Sequence, residues 1–455
     1  MSGFAANSSW RSMTCQLARN SIPIALFYVV EMAMGFIDTA VAGRLGTVEL
    51  GAVGLATGLV FAFLYAAFGM TSTTAIFVAG GHEQAQTDAV KSSFVAGLLM
   101  AALLSPLIIV IAISIPEFLR RTGQDGAVVT SASLYIQGAV ASVPLALVFN
   151  VYRALLSAVG SGALVVWASV IGITVNLIAS PILAFGIGWS PELGVFGIGL
   201  GTTFAHATMV LFAVAATWKR HRIGGLRIWR NHLDAFLVRE FLAIGWPGLV
   251  LGLFESGFFA AMQVVAGMHG VASLSATTVG IQLADIISVI GLSVGEATMI
   301  SVAASNSRTS DPRAANAIIV TGSAVAALLM IAAGVGVTFN PEIAEVVFLG
   351  ESESSNFVFR DQLLIVLAIL PFALAADAVQ LVLVRGLKAL RDTRGPMLVA
   401  AAGYWIVGIG GGYFLATVGQ LGVEGVWIGF AAGLTFVSVV LAFRLFLRTR
   451  LDAKR

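Results

Sequence analysis

PIALFYVVEMAMGFIDTAVAGRLGTVELGA, residues 23–52, returns in altered form as PGLVLGLFESGFFAAMQVVAGMHGVASLSA, residues 247–276. Pro23, Glu31, Gly43, Gly46, Leu50 and Ala52 recur as Pro247, Glu255, Gly267, Gly270, Leu274 and Ala276, each at offset 224. Further along, Pro144-Leu145-Ala146-Leu147 matches Pro371-Phe372-Ala373-Leu374 at offset 227. Leu193-Gly194-Val195 and Gly197 match Leu421-Gly422-Val423 and Gly425 at offset 228. Three echoes in the same order, drifting by only four residues, mark a duplicated chain. Both copies carry acidic residues inside otherwise apolar runs. A duplicated membrane protein with charges in its spans is built to move something across the bilayer.

The composition agrees. Of 455 residues, 58% are hydrophobic and 11% charged, against about 25% charged in an ordinary soluble domain. Mean hydropathy is +0.96 and there are 50 glycines, a residue more frequent in membrane helices than in soluble ones. Cys15 is the only cysteine, which excludes an intramolecular disulfide framework and a cysteine-based metal site. A net charge of +2 gives no reason to expect nucleic acid as a partner. The first twenty residues lack a continuous apolar core, so no cleaved signal peptide is expected.

A helix needs about 20 apolar residues to cross a bilayer. Twelve spans are predicted, at 22–43, 50–79, 92–115, 128–157, 162–187, 193–217, 240–268, 274–303, 315–347, 361–384, 396–418 and 422–445. The runs are too long, and too free of period-two alternation, for a transmembrane β-barrel. Breaks are expected at Gly80-Gly81-His82-Glu83, Ser305-Asn306-Ser307-Arg308 and Arg394-Gly395-Pro396. With both termini inside, the cytoplasmic segments hold 20 of the 25 Lys and Arg. Arg44, Arg120, Arg121 and Arg360 fall outside, and, apart from Arg444 at the cytoplasmic end of the last span, only Arg153 falls within a predicted span. This bias supports both the span count and the orientation. The expected organisation is a cytoplasmic segment 1–21, a six-helix bundle 22–217, a basic cytoplasmic linker 218–239, a second bundle 240–445 and a tail 446–455. Six spans per half make the repeats parallel, so the fold class is an all-α polytopic membrane protein of two parallel six-helix repeats.

Leaving aside acids at or near span ends such as Glu240, Glu342, Glu345, Asp361 and Glu424, six carboxylates are singled out in the predicted spans: Glu31, Asp38, Glu255, Asp285, Glu296 and Asp377. Each costs about 2.5 kcal/mol or more at a helix centre, so none should face lipid. Glu31 and Asp38 stand seven residues apart on one helical face. Asp285 and Glu296 are separated by eleven residues, nearly three turns, with Ser288 on the same stripe, and Asp377 precedes Gln380 by three. Gln282 and Gln380 are further candidates for contact with ion or substrate. One or two acids could simply pair with Arg153 or cap a broken helix, but a single cation within the spans does not serve six. A desolvated carboxylate can hold a proton near neutral pH. One ringed by oxygen ligands can instead bind a hard cation such as sodium. Either gives a coupling site, and the sequence leaves both open. The 29 Phe and 12 Met suit a cavity for lipophilic cations, although most of them are expected to face lipid or fill helix packing.

Weaker signals have plainer readings. Gly43/Gly46 and Gly267/Gly270 sit at helix ends as turns, and Gly408 to Gly412 indicate tight packing or a bend. His206 could relay protons but reads better as a hydrogen-bonded structural residue, and His82, His221, His232 and His269 as loop or interface residues. There is no Walker motif, no His-Glu-x-x-His and no Gly-x-Ser-x-Gly, so no enzyme is expected.

Met34-Gly35-Phe36-Ile37-Asp38-Thr39 through Gly43, Phe254-Glu255, and Asp377-Ala378-Val379-Gln380 followed by Arg385-Gly386 together resemble the multidrug and toxic compound extrusion (MATE) family, nearest its bacterial NorM branch. The likeness runs from about Ile22 to Leu445. It implies a V-shaped pair of bundles working by alternating access. The implied activity is export of lipophilic cationic drugs, such as dyes and fluoroquinolones, against sodium or protons, with no other cofactor. It also implies a monomer in the bacterial inner membrane. On this resemblance Asp38 is the ion-binding acid of the first bundle. Glu255 and Asp377 form the cation site of the second, with sodium as the metal, and Asn176 matches the asparagine of helix 5. Glu31, Asp285 and Glu296 depart from the family pattern. A lipid-linked oligosaccharide flippase of the same superfamily is the nearest rival. Its anionic substrate calls for basic residues, whereas six acids and one Arg stand in the predicted spans. A channel fits poorly, because Asp377 stands where the first copy has Asn150.

Overall fold

The computed structural model describes residues 10–83, 87–188, 190–221, 235–309, 312–348, 357–390, 392 and 394–452, and among them there is no strand. The helices are α1 (Trp10–Leu45), α2 (Thr47–Thr71), α3 (Thr74–Glu83), α4 (Thr87–Arg121), α5 (Gly126–Ala139), α6 (Ser142–Ala158), α7 (Gly162–Phe185) and α8 (Gly194–His221). They continue with α9 (Ala235–Gly267), α10 (Val271–Thr309), α11 (Pro312–Thr338), α12 (Pro341–Phe348), α13 (Phe357–Ala389), α14 (Arg394–Val418) and α15 (Val423–Asp452). Among the described residues, nine spans and one bent pair have the length and composition to cross a membrane. The long helices α1 and α9 include side chains outside the described residues. Large apolar side chains such as Leu211, Leu328 and Ile406 are exposed by about 70%, an inversion of the soluble pattern that suits a lipid-facing surface.

Several predicted boundaries need correction. The span 128–157 is bent by 50° between α5 and α6. Pro144 explains this, because it lacks the N–H that would bond to Val140 and its ring crowds that carbonyl. The span 315–347 stops at Thr338, and Pro341 opens the separate α12, consistent with proline at the start of a helix. The clusters at 80–83 and 305–308 form the ends of α3, which stops at Glu83, and α10, which stops at Thr309; α4 and α11 begin at Thr87 and Pro312. Arg394-Gly395-Pro396 opens α14 after α13 has ended at Ala389. The second predicted span is also interrupted, at Ser72-Thr73. Thr74 Oγ1 donates to Thr71 O there at 2.7 Å, and Asn150 Nδ2 adds a bond at 3.3 Å to Phe68 O, which already accepts from Ser72 N.

Contacts divide the chain into two compact units, Ala33–Val271 and Met1–Met32 with Ala272–Arg455. In the first, Leu147, Val151 and Leu155 of α6 form a buried core with Phe94 and Tyr152, whose rings meet edge-on at 5.0 Å. Helix α9, which opens the second sequence copy, packs along α2 within this unit. Phe241 stacks on Phe77 at 4.7 Å, and at the other end of α9 Gln124 Nε2 donates to Val264 O at 2.9 Å. In the second unit Trp427 is fully buried, and its Nε1 donates to Thr277 Oγ1 at 3.3 Å. There α10 and α13 lie side by side in one parallel register. Ser273 meets Gln362, Ser288 meets Asp377 and Arg385 meets Glu296, each pair separated by 89 residues.

Candidate functional sites

Among the described residues of the first unit, one acid is buried. Asp38, on α1, is 2% exposed and accepts four hydrogen bonds from three other helices. Tyr135 of α5 donates its phenol to Oδ2 at 3.0 Å, and Thr202 of α8 donates to the same oxygen. Asn176 Nδ2 of α7 donates to Oδ1 at 3.0 Å, and Ser180 Oγ, one turn further, approaches it at 3.4 Å. Asn176 Nδ2 also reaches Ser180 Oγ at 3.1 Å. The Asn176 Oδ1 atom is buried without a hydrogen-bond partner among the described residues. No Lys or Arg forms an ion pair with Asp38 among the described residues. The carboxylate is therefore met by neutral donors alone. These leave its charge uncancelled, a burden that a proton or a monovalent cation would relieve.

The sequence singled out Asp38 and Asn176 separately, without pairing them, and passed over Tyr135, Ser180 and Thr202. Hydroxyls in apolar helices usually bond their own backbone, as Thr208 does to Phe204 O at 2.8 Å. The available signal was the spacing of Asn176 and Ser180, which stand four apart on one face of α7. His206, one turn beyond Thr202, holds Thr202 O at 3.0 Å through Nδ1, the structural role expected of it.

The second unit gathers the acids of α10 and α13. Asp377 accepts from Ser288 Oγ at 2.6 Å and from Gln380 Nε2 at 3.0 Å. Gln380 Oε1 in turn accepts from Tyr404 of α14 at 2.7 Å. Asp285, three residues before Ser288, lies within electrostatic reach of Asp377. Gln282 is one further turn back on α10 and half-buried. Glu296 stands apart from this group. It forms an ion pair with Arg385 at 3.1 Å. Arg385 was expected in the loop after a span ending at 384, but α13 continues to Ala389 and carries it along the helix. Arg153 is therefore not the sole cation in the helices. Arg153 itself holds Asn150 Oδ1 through Nε at 3.0 Å and Nη2 at 2.7 Å. The side chains of Glu31 and Glu255 lie outside the described residues. Among the described residues, no group of three or more His, Cys, Asp or Glu is placed to hold a metal ion.

The MatE family model matches residues 23–182 and 247–414, two segments that follow the internal repeat. The multidrug resistance protein NorM of Burkholderia vietnamiensis is 28% identical over 98% of this chain and 96% of its own length. A probable multidrug resistance protein NorM of Bradyrhizobium diazoefficiens is also 28% identical, over 94% of this chain and 93% of its own. Among solved structures, the inward-facing conformation of a multidrug resistance MATE family transporter of the MOP superfamily superposes with a TM-score of 0.86 at 18% identity. It covers 97% of this chain and 99% of that one. The eukaryotic MATE transporter AtDTX14 gives 0.73 at 16% identity, over 96% of each chain.

Proposed function

Because the chain belongs to the MatE family, we propose that it is a secondary antiporter that exports lipophilic cationic drugs in exchange for sodium or protons. Export of drugs is supported by similarity to NorM multidrug resistance proteins over nearly the whole chain. Such a protein is a membrane transporter and not an enzyme. Ion coupling rests on one observation above all: a buried carboxylate, Asp38, held by donors from three helices and by no cationic side chain. Occupation of that site by a cation removes the charge, and loss of the cation restores it. Because α1, α5, α7 and α8 each contribute a group, a change of charge at Asp38 alters how those helices pack. That is the differential interaction a two-state transporter needs.

Asp377 and Asp285, with Ser288, Gln380 and Tyr404, supply a second charged locus in the other unit. Dyes and fluoroquinolones fit the substrate class, since an apolar cavity with a few acids binds them through burial, charge and aromatic faces. The bias of Lys and Arg supports cytoplasmic termini, the likeness to bacterial NorM proteins supports a bacterial inner membrane, and the protein is expected to work as a monomer. A flippase for anionic lipid-linked sugars is not favoured by the NorM relatives or by the acids.

The test is ethidium efflux from proteoliposomes of the purified protein, with sodium and proton gradients imposed separately. Efflux under a sodium gradient at fixed pH identifies sodium as the coupling ion. Efflux under a pH gradient alone identifies protons. Ethidium that stays in the vesicles under both gradients overturns the antiporter reading.

A further inference from the structure

Helix α8 carries glycines on two faces. Gly197 and Gly201, one turn apart, lie against α7, and Gly199 lies against α5. A Cβ on Gly197 would stand 2.6 Å from Leu183 O and 2.9 Å from Ala184 N. One on Gly201 would stand 2.8 Å from Ser180 N and 2.9 Å from Ser180 Cα, and would strike Ser180 Oγ. One on Gly199 would strike Tyr135 O and stand 2.7 Å from Ala139 N. Small residues at a helix interface let backbones approach this closely.

Two of the three contacts fall on residues that hold Asp38. Tyr135 donates its phenol to Asp38 Oδ2, and Ser180 Oγ lies 3.4 Å from Oδ1. Ser180 also accepts from Asn176 Nδ2 at 3.1 Å, and Asn176 itself donates to Oδ1 at 3.0 Å. Gly197 differs: it touches the same α7–α8 seam one turn away, at Leu183 and Ala184, which give Asp38 no hydrogen bond.

An alanine at 201 could not be accommodated by a new Ser180 rotamer, because the nearby atoms include the Ser180 backbone N and Cα. Helix α7 would have to back away, carrying Ser180 and Asn176 with it. At 3.4 Å the Ser180 hydroxyl already stands at the outer edge of hydrogen-bond range. A retreat of a few tenths of an ångström, roughly what the overlap demands, takes it out of reach. A carboxylate's hold on a proton depends on its donors, and its hold on a metal cation depends on oxygen ligands at set distances.

We propose that Gly201 is a positioning residue for the Asp38 site: by letting α7 close on α8 at Ser180, it keeps Ser180 and Asn176 within reach of Asp38 and so sets how tightly that site holds the coupling ion. This rests on the antiporter reading.

The experiment measures ethidium efflux from proteoliposomes against sodium concentration at fixed pH, and against pH without sodium. It compares wild type, Gly197→Ala, Gly201→Ala, Ser180→Ala and the double variant of the last two. The readout is the midpoint in the ion that drives wild-type efflux. Gly201→Ala should shift that midpoint by about tenfold or more, the effect of removing a hydrogen-bond partner from a charged group. Gly197→Ala overpacks the same seam away from the acid. It should lower the melting temperature yet keep the midpoint within about threefold of wild type. Ser180→Ala should shift the midpoint in the same direction as Gly201→Ala. The double variant should shift it no further than Gly201→Ala alone, because both changes break one contact.

Equal midpoint shifts in Gly197→Ala and Gly201→Ala would mean that the seam serves packing alone, and the proposal fails. An unshifted midpoint in Gly201→Ala overturns it, and so does a double variant whose shift is the product of the two single fold-changes. If Gly201→Ala does not fold, Ser180→Ala decides: a shifted midpoint supports the proposal and an unshifted one overturns it. Wild-type vesicles that show no gradient-driven efflux overturn the antiporter reading itself, and this assignment with it.

Discussion

Asn150 and Asp377 occupy the same place in the two copies, and each accepts a hydrogen bond from the side chain three residues on. Arg153 Nη2 donates to Asn150 Oδ1 at 2.7 Å, and Gln380 Nε2 donates to Asp377 Oδ1 at 3.0 Å. The geometry is retained while the charge changes hands. In the first copy the donor is the ion; in the second the acceptor is.

That exchange makes Asp377→Asn a clean test. The variant removes the charge while keeping a similar side-chain shape beside Ser288 and Gln380. Export should be abolished while the protein still reaches the membrane at near-normal levels. Ethidium accumulation in expressing cells, normalised to membrane-bound protein, measures this; efflux equal to wild type would eliminate Asp377 as a coupling residue. The mirror change, Asn150→Asp, keeps the Arg153 contact but loses the Nδ2 donor that serves Phe68 O, so it should lower the melting temperature of the purified protein.

At Asp38 the donors can be removed singly. Tyr135→Phe and Thr202→Val each delete one hydroxyl with little change of shape. Each should cost about 1–3 kcal/mol, the range for stripping one partner from a buried acceptor. The melting temperature of the purified protein should fall in both. Asp38→Asn should abolish export, because a neutral amide cannot alternate between charged and neutral states. A variant at 38 that still pumps dye under a gradient would remove the first unit from ion coupling.

Much of this was legible in the chain. The repeat and the hydropathy pointed to an all-α membrane protein, because each depends on period and composition alone. Asp38 was singled out because six carboxylates in apolar runs are too many for one cation within the spans to pair. Tyr135, Ser180 and Thr202 were not found, because a hydroxyl in a helix can satisfy itself. Thr39 does so on Gly35 O at 2.8 Å and Ser105 on Ala101 O at 2.6 Å. Only the placement of four helices separates Thr202 from such residues. Arg385 was misplaced for a different reason. Hydropathy marks where the apolar run ends, but a helix ends where its backbone bonds stop, and α13 outlasts its apolar run.

Between α13 and α14, Asp392 is gripped by Arg444, with Nε donating to Oδ2 at 2.6 Å and Nη2 to Oδ1 at 3.1 Å. The Arg444 guanidinium holds the Asp392 carboxyl below its ordinary value. A folded value lowered in this way stabilises the protein above the unfolded carboxylate value, about 3.9, and the gain is lost as pH falls through the folded value. Melting curves of wild type and Asp392→Asn should therefore differ by a constant amount from pH 5 to 8. The gap should narrow only in stronger acid. A gap that opened or closed near neutrality would mean that some other group titrates with this pair.

The glycines of α14 face α15 with unequal clearance. Gly408 and Gly412 meet Gly429 and Gly433 where α14 widens into π-helical turns. A Cβ on Gly429 would strike the Gly412 backbone, whereas one on Gly412 finds Val426 O at 3.4 Å and Gly429 Cα at 3.5 Å, ordinary contact distances. Alanine in a helix is favoured over glycine by about 1 kcal/mol, while overpacking costs roughly 1–3 kcal/mol. Gly412→Ala should then be neutral or slightly stabilising, and Gly429→Ala destabilising. The two melting temperatures, measured in the same detergent, decide it. Equal shifts in the two variants would mean that α14 and α15 do not pack this closely in the bilayer.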